Sequence, residues 1–161
     1  MAVSSFKDYN KAYLKKIAEI ESLANSYVLI GIQEGTVTKS ATKGKEKKVG
    51  GLSMAEIGAA NEFGSKNVPA RPFLRPAIDE NRSRINRAIA GEYDKILEGN
   101  STVKKSLNLL GLFGVDLVQK KIRSIHFPPN APSTIKRKGS SKPLIDFGQM
   151  IQSIRHKVVI S

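Results

Sequence analysis

Thr102–Ile125 reads TVKKSLNLLGLFGVDLVQKKIRSI. Val103, Leu107, Leu110, Gly114 and Leu117 recur at three- and four-residue spacing and Ile125 follows eight residues on, which predicts a long helix with one buried face. Gly111 and Gly114 each lower its helix propensity by about 1 kcal/mol relative to Ala. A helix that keeps two such residues is expected to pack closely against another backbone there.

Upstream, Gly99 and Asn100 break the chain before this helix. The preceding stretch, from near Pro76 to about Leu97, reads as one helix. Ile78, Ile85, Ile89, Tyr93 and Ile96 form its apolar stripe, with Arg82, Arg84, Arg87 and Glu92 off it. Pro76 is tolerated in a first turn. Before it, Pro69, Pro72 and Pro76 surround Arg71, Phe73 and Arg75 and force an extended entry. A shorter helix starts at Ser53, where Glu56 three residues on completes a capping box. Met54, Ile57 and Phe63 are its apolar members, and Gly64 ends it as a left-handed cap. Tyr27–Ile32 reads as a strand containing Gly31. The N-terminal segment reads as a helix, with Phe6, Tyr9, Tyr13, Ile17, Ile20 and Ala24 on one face. Ser4 or Ser5 caps its start, and Asn25 and Ser26 stop it.

Two segments are irregular and basic. Thr36–Gly51 holds Lys39, Lys43, Lys45, Lys47 and Lys48 with Gly44, Gly50 and Gly51, directly after Gly35, and only Glu46 opposes the lysines. It reads as a flexible loop or hairpin arm with no phosphate-cradling pattern. His126–Lys142 holds Pro128, Pro129 and Pro132 and the basic group Lys136, Arg137 and Lys138. Loops this long within a compact domain are usually functional. Downstream, Asp146 and Gly148 suggest a turn or the start of a short helix presenting Met150 and Ile151, and Ile154–Ile160 reads as a strand.

The bulk numbers narrow the function classes. At 161 residues the chain suits a single domain, which can bury roughly 70% of its unfolded surface. It has no cysteine, so disulfides and thiolate metal sites are excluded. His126 and His156 lie far apart without an acidic cluster, and no cofactor site is legible. No apolar run approaches the roughly 20 residues of a membrane span. Met1–Lys16 lacks a signal-peptide core, so synthesis and folding in a cytoplasm are expected. The 27 Lys and Arg against 14 Asp and Glu leave a net charge of +13. That excess favours contact with nucleic acid or an acidic protein surface, or else describes solvated faces. There is no Trp, and the aromatic interleaving of a single-strand groove is missing. No nucleophile elbow or metal motif is present, His126 reads as a loop hydrogen-bonder, and Glu56 and Glu62 stand too far apart to share a proton. The expectation is a protein that is not an enzyme.

Two stretches carry a resemblance. The first is Ala59-Ala60-Asn61-Glu62-Phe63-Gly64, followed by Pro69-Ala70-Arg71-Pro72-Phe73-Leu74-Arg75-Pro76-Ala77. The second is Pro128 to Arg137 with Gly139, then Lys142-Pro143-Leu144-Ile145-Asp146, Gly148-Gln149-Met150 and Ser153-Ile154. In order and spacing they resemble the phage virion-morphogenesis and tail-completion proteins, also called neck or tail-terminator proteins, from about Val28 onward. One departure is Phe147, where the family has Thr, so a hydroxyl cap is absent at that turn.

The resemblance implies an α+β subunit, a small mostly antiparallel sheet flanked by helices with long basic loops. It implies a structural part of the virion at the head–tail neck, assembled in the host cytoplasm. Such subunits form a ring, commonly a hexamer, that ends the tail tube and docks to head-completion or connector proteins. Arg71, Phe73, Arg75 and Glu62 are then the expected assembly and packing residues. The two basic loops are expected at the DNA channel or an acidic partner, with any DNA contact non-specific. The alternatives are another neck component, such as a head-closure or adaptor protein, and a non-specific DNA-binding protein. A small hydrolase has almost no support in the residues.

Overall fold

The computed structural model describes residues 2–33, 53–66, 69–124, 132, 136 and 148–160. The basic segment 36–51, Arg137 and Lys138 lie outside them, as do Asp146 and Phe147. The architecture is α+β, mostly helical with a two-stranded antiparallel sheet. In chain order the elements are α1 (Ala2–Ala24), β1 (Tyr27–Ile32), α2 (Met54–Phe63), α3 (Leu74–Asp79), α4 (Arg82–Leu97), α5 (Val103–Ser124), α6 (Gln149–Ser153) and β2 (Ile154–Val159).

These residues form two compact units. One holds α1, residues 27–29, α4, residues 103–113 of α5 and residues 156–159 of β2. Its core is Ile96, Val103 and Leu107, with Leu23, Leu110 and Val158 packed on it. The other holds residues 30–32, α2, α3, residues 114–124 of α5, α6 and residues 154–155. Its core is larger: Met54, Phe73, Ala77, Val118, Ile122, Met150, Ile151 and Ile154, flanked by Ile30, Ile32, Ile57, Leu74 and Val115.

Of the expected buried face of α5, Val103, Leu107, Gly114 and Leu117 are buried and Leu110 half-buried, joined by Ser106, Val118 and Ile122, while Ile125 lies outside the described residues. Its glycines meet strand side chains rather than backbone. A Cβ on Gly111 would lie 2.6 Å from Cγ and 2.9 Å from Cβ of His156 on β2. A Cβ on Gly114 would run into the Cδ1 tip of Ile30 on β1. His156 is held there by a 3.2 Å hydrogen bond between its Nε2 and Asn108 Oδ1. The α6 segment presents Met150 and Ile151 to the core as expected, entered through Gly148 in the left-handed region.

Several expectations need correction. The single helix expected from Pro76 to Leu97 is two, α3 and α4. The reason is Asn81: its backbone N–H reaches Ile78 O at 3.1 Å, while its side-chain amide donates to Ala77 O at 2.9 Å. The side chain takes the acceptor that a continuing helix would have used. In α4 the inward residues are Ile85, Ala88, Glu92 and Ile96, and Ile89 and Tyr93 are exposed.

In α1, Ser4 and Ser5 lie within the helix, which starts at Ala2. The expected face is met only in part: Ile17 is half-buried, but Tyr13, Ile20 and Ala24 are exposed, and Glu19, Ser22 and Leu23 are half-buried instead, while the side chains of Phe6 and Tyr9 lie outside the described residues. Glu19 explains this, because its carboxylate accepts the Val103 N–H at 3.0 Å and satisfies an orphan donor at the start of α5. Thr102 Oγ1 takes a second, from Lys105 N at 3.3 Å.

Phe63 is 70% exposed rather than an inward member of α2, whose buried residues are Met54, Gly58 and Glu62. Gly64 has φ 78 but ψ 172, so it is not a left-handed helix cap. It is a reversal that only glycine adopts readily.

Candidate functional site

The Ser53–Glu56 capping box anticipated from sequence starts α2. Glu56 N donates to Ser53 Oγ at 3.2 Å, and Ser53 N donates to Glu56 Oε2 at 2.6 Å. The Ser53 N–H first, and then its hydroxyl, hold the Glu56 carboxyl below the usual carboxylate range. At the other end the helix stops at Gly64, and a Cβ there would press on Ala70, 3.1 Å from its backbone N. This close approach brings residues 69–76 back along the last turn of α2.

The returning chain is fastened by two consecutive α2 residues. Asn61 holds Arg71: its carbonyl accepts Arg71 N at 2.6 Å, and its Oδ1 accepts Arg71 Nη1 weakly at 3.5 Å. The Asn61 amide is itself fixed, donating to Ile57 O at 2.8 Å. Glu62 holds the next three residues. Its Oε2 accepts the backbone N–H of Phe73 at 2.7 Å and of Leu74 at 2.9 Å, and its Oε1 accepts that of Arg75 at 3.1 Å. The same Oε1 accepts Arg75 Nε at 3.4 Å.

An acid in the last turn of α2 opposes that helix's own dipole. The donors at the start of α3 reverse the balance. Glu62 is 3% exposed, and burial pushes its carboxyl up, but the N–H groups of Leu74, Phe73 and Arg75 and the Arg75 side chain together hold it below the usual range. Pro76 sits where α3 still has orphan donors, so its missing N–H costs nothing.

The four residues expected to act in assembly therefore gather at one place with different roles. Phe73 is fully buried in the core of its own unit. Arg71 is 7% exposed, and burial draws its guanidinium below its ordinary value. Glu62 is the buried clamp. Arg75 has its side chain 65% exposed, and its guanidinium lies 5.2 Å from the centroid of the Phe63 ring. Sequence reading missed Asn61 as the anchor of Arg71. It also placed Phe63 inward, because spacing alone cannot show that Glu62 takes the buried position beside it.

The basic residues divide less evenly. Lys136 is exposed. Lys39, Lys43, Lys45, Lys47, Lys48, Arg137 and Lys138 lie outside the described residues. Of the described acids, Glu19, Glu56, Glu62, Glu80, Glu92, Glu98 and Asp116 each bond within the chain. Lys121 meets Glu80 at 2.5 Å, and Lys120 meets Asp116 at 2.7 Å. Glu92 accepts from Lys95 at 2.6 Å; Lys95 first, then Ser106 and Lys105, outweigh its partial burial and lower its carboxyl.

Among the described residues no group of three or more His, Cys, Asp or Glu side chains is placed to hold a metal ion. Among them, too, no helix is long and apolar enough to cross a membrane. What the site can do chemically is fix a backbone reversal and present an arginine stacked on an aromatic ring. No family model matches the chain, and neither does any curated protein or solved structure.

Proposed function

We propose that the chain is a structural subunit of a bacteriophage head–tail neck, a tail-completion or tail-terminator protein that forms a ring on the tail tube and docks to the head. The observation that carries this reading is the paired resemblance of residues 59–77 and 128–154 to such proteins. The first stretch is also where Asn61 and Glu62 fasten the chain reversal, so the residues that resemble the family have a definite structural task in this chain. The α+β architecture is compatible with it.

The test is assembly. Purified protein, alone and mixed with tail tubes lacking their neck, is followed by light scattering and electron microscopy. Closed rings, free or seated on tube ends, are the expected result, since homo-oligomers generally close by symmetry. Monomers under both conditions overturn the reading. The net charge of +13 favours one alternative, a non-specific DNA-binding protein. In that case the protein coats duplex DNA at low salt and leaves tail tubes bare.

A further inference from the structure

We propose that Phe63 and Arg75 form a docking knob for a different protein, one that presents a carboxylate beside an apolar side chain. The inference is independent of the neck reading. An exposed phenylalanine at 70% would ordinarily be a liability, and an exposed arginine would ordinarily be mobile. Here neither description fits. The Arg75 backbone N–H and Nε both donate to the buried Glu62 carboxylate, at 3.1 and 3.4 Å, which fixes the stem and one edge of the guanidinium. One face of the guanidinium lies over the Phe63 ring. The terminal Nη edge is the part left to solvent.

That edge is the fork that matches a carboxylate with two parallel hydrogen bonds. Because its orientation is already set, little side-chain entropy remains to be lost when a partner docks. An aromatic ring next to an arginine is also the composition in which binding energy concentrates at protein interfaces. Phe63 supplies the apolar contact and Arg75 the directional one.

The occupant follows from charge. Nucleic acid binds through cations ranked along successive phosphates. Here what lies against the Arg75 guanidinium is the Phe63 ring and the Glu62 carboxylate, not a second cation. A second copy of the chain carries the same +13, and most of its described acids are already engaged internally. An acidic surface on another protein has neither difficulty.

The experiment uses the full-length, isotopically labelled protein. The probes are a 12-residue alternating Glu/Leu peptide, the same peptide with Gln for Glu, and a 12-base-pair DNA duplex. Saturable movement of the Arg75 Nε–Hε and Phe63 ring resonances with the Glu peptide alone is expected. Phe63→Ala and Arg75→Lys should each weaken that binding about tenfold, the lysine variant because it keeps the charge and loses the fork. Both variants are melted in parallel, and the resonances of the unmodified protein provide a readout that needs no variant. Several results overturn the proposal: no saturable movement up to millimolar peptide, or equal binding of the Gln peptide. Movement with DNA in place of the peptide, or with protein concentration alone, does so by naming a different occupant. Undiminished affinity in Arg75→Lys does so by reducing the contact to general charge.

Discussion

Glu62 joins two helices through one carboxylate, and its replacement by Gln separates charge from shape. Glutamine keeps one acceptor oxygen of similar reach but turns the other into a donor facing donors. Leaving buried N–H groups at the head of α3 unsatisfied should cost about 1–3 kcal/mol. The pH dependence has a definite sign. The folded-state pKa of Glu62 lies below its ordinary value of 4.5, so its stabilisation is fully present above about pH 4.5 and is lost as pH falls through the folded value. The melting-temperature gap between parent and Glu62→Gln should therefore be narrower at pH 3 than at pH 7. Glu56 and Glu92 are lowered too, but they act equally in both proteins. A gap of the same width at both pH values would mean the carboxylate's charge is not what holds the turn. Sequence drew attention to Glu62 as an assembly and packing residue. Its larger role, accepting three backbone donors, depends on the reversal at Gly64, and no side-chain pattern encodes where a returning backbone points its N–H groups.

Three helical glycines test how far packing overrides propensity at the level of elements. In an open position Gly→Ala stabilises a helix by up to about 1 kcal/mol. Gly91 on α4 is such a position, with nothing within 4 Å of an added Cβ. Gly91→Ala should raise the melting temperature. Gly111→Ala should lower it, because the new methyl meets the His156 ring near its base, and that ring is tied to Asn108. Gly114→Ala should fall between them, since the obstacle is the far end of Ile30, which can change rotamer. A set of thermal melts in which Gly111→Ala matches Gly91→Ala would remove the close contact between α5 and β2. The same elements show what periodicity can and cannot reveal. The buried face of α5 was legible because apolar side chains face inward there at the regular period, the capping box because Ser53 and Glu56 stand three residues apart, and both strands from their β-branched content. The inward face of α1 was not, because Glu19 and Ser22 occupy it, and an acid serving a helix terminus reads in sequence as a solvated one. The break between α3 and α4 was hidden in the same way, as Asn81 looks like any polar residue on a helix surface.

Charge sets the behaviour of the whole molecule, and it separates contacts between copies from contacts with other proteins. Twenty-seven cations face 14 acids, and at least seven of those acids are already used inside the subunit. Each copy of the chain therefore presents an excess of cations with few acids to offer another copy. Bringing copies together concentrates like charge, and salt relieves that repulsion. The screening length falls from about 30 Å at 0.01 M to about 10 Å at 0.1 M, so most of the relief comes in that interval. The ring formation proposed above should accordingly strengthen as salt rises from 0.01 to 0.1 M, with the apolar contacts between copies little changed. Binding of the acidic peptide at Phe63 and Arg75 should move the opposite way, because there the charges attract. The internal ion pairs at 2.5–2.7 Å are short enough to be screened far less, so the melting temperature of the subunit should hold or rise over the same range. Sedimentation of the protein alone, peptide titration and thermal melting at matched salt concentrations measure the three trends together. Rings that dissociate as salt is added would mean that copies meet through opposite charges, and acids now assigned to internal bonds would have to be reassigned to the contact between subunits.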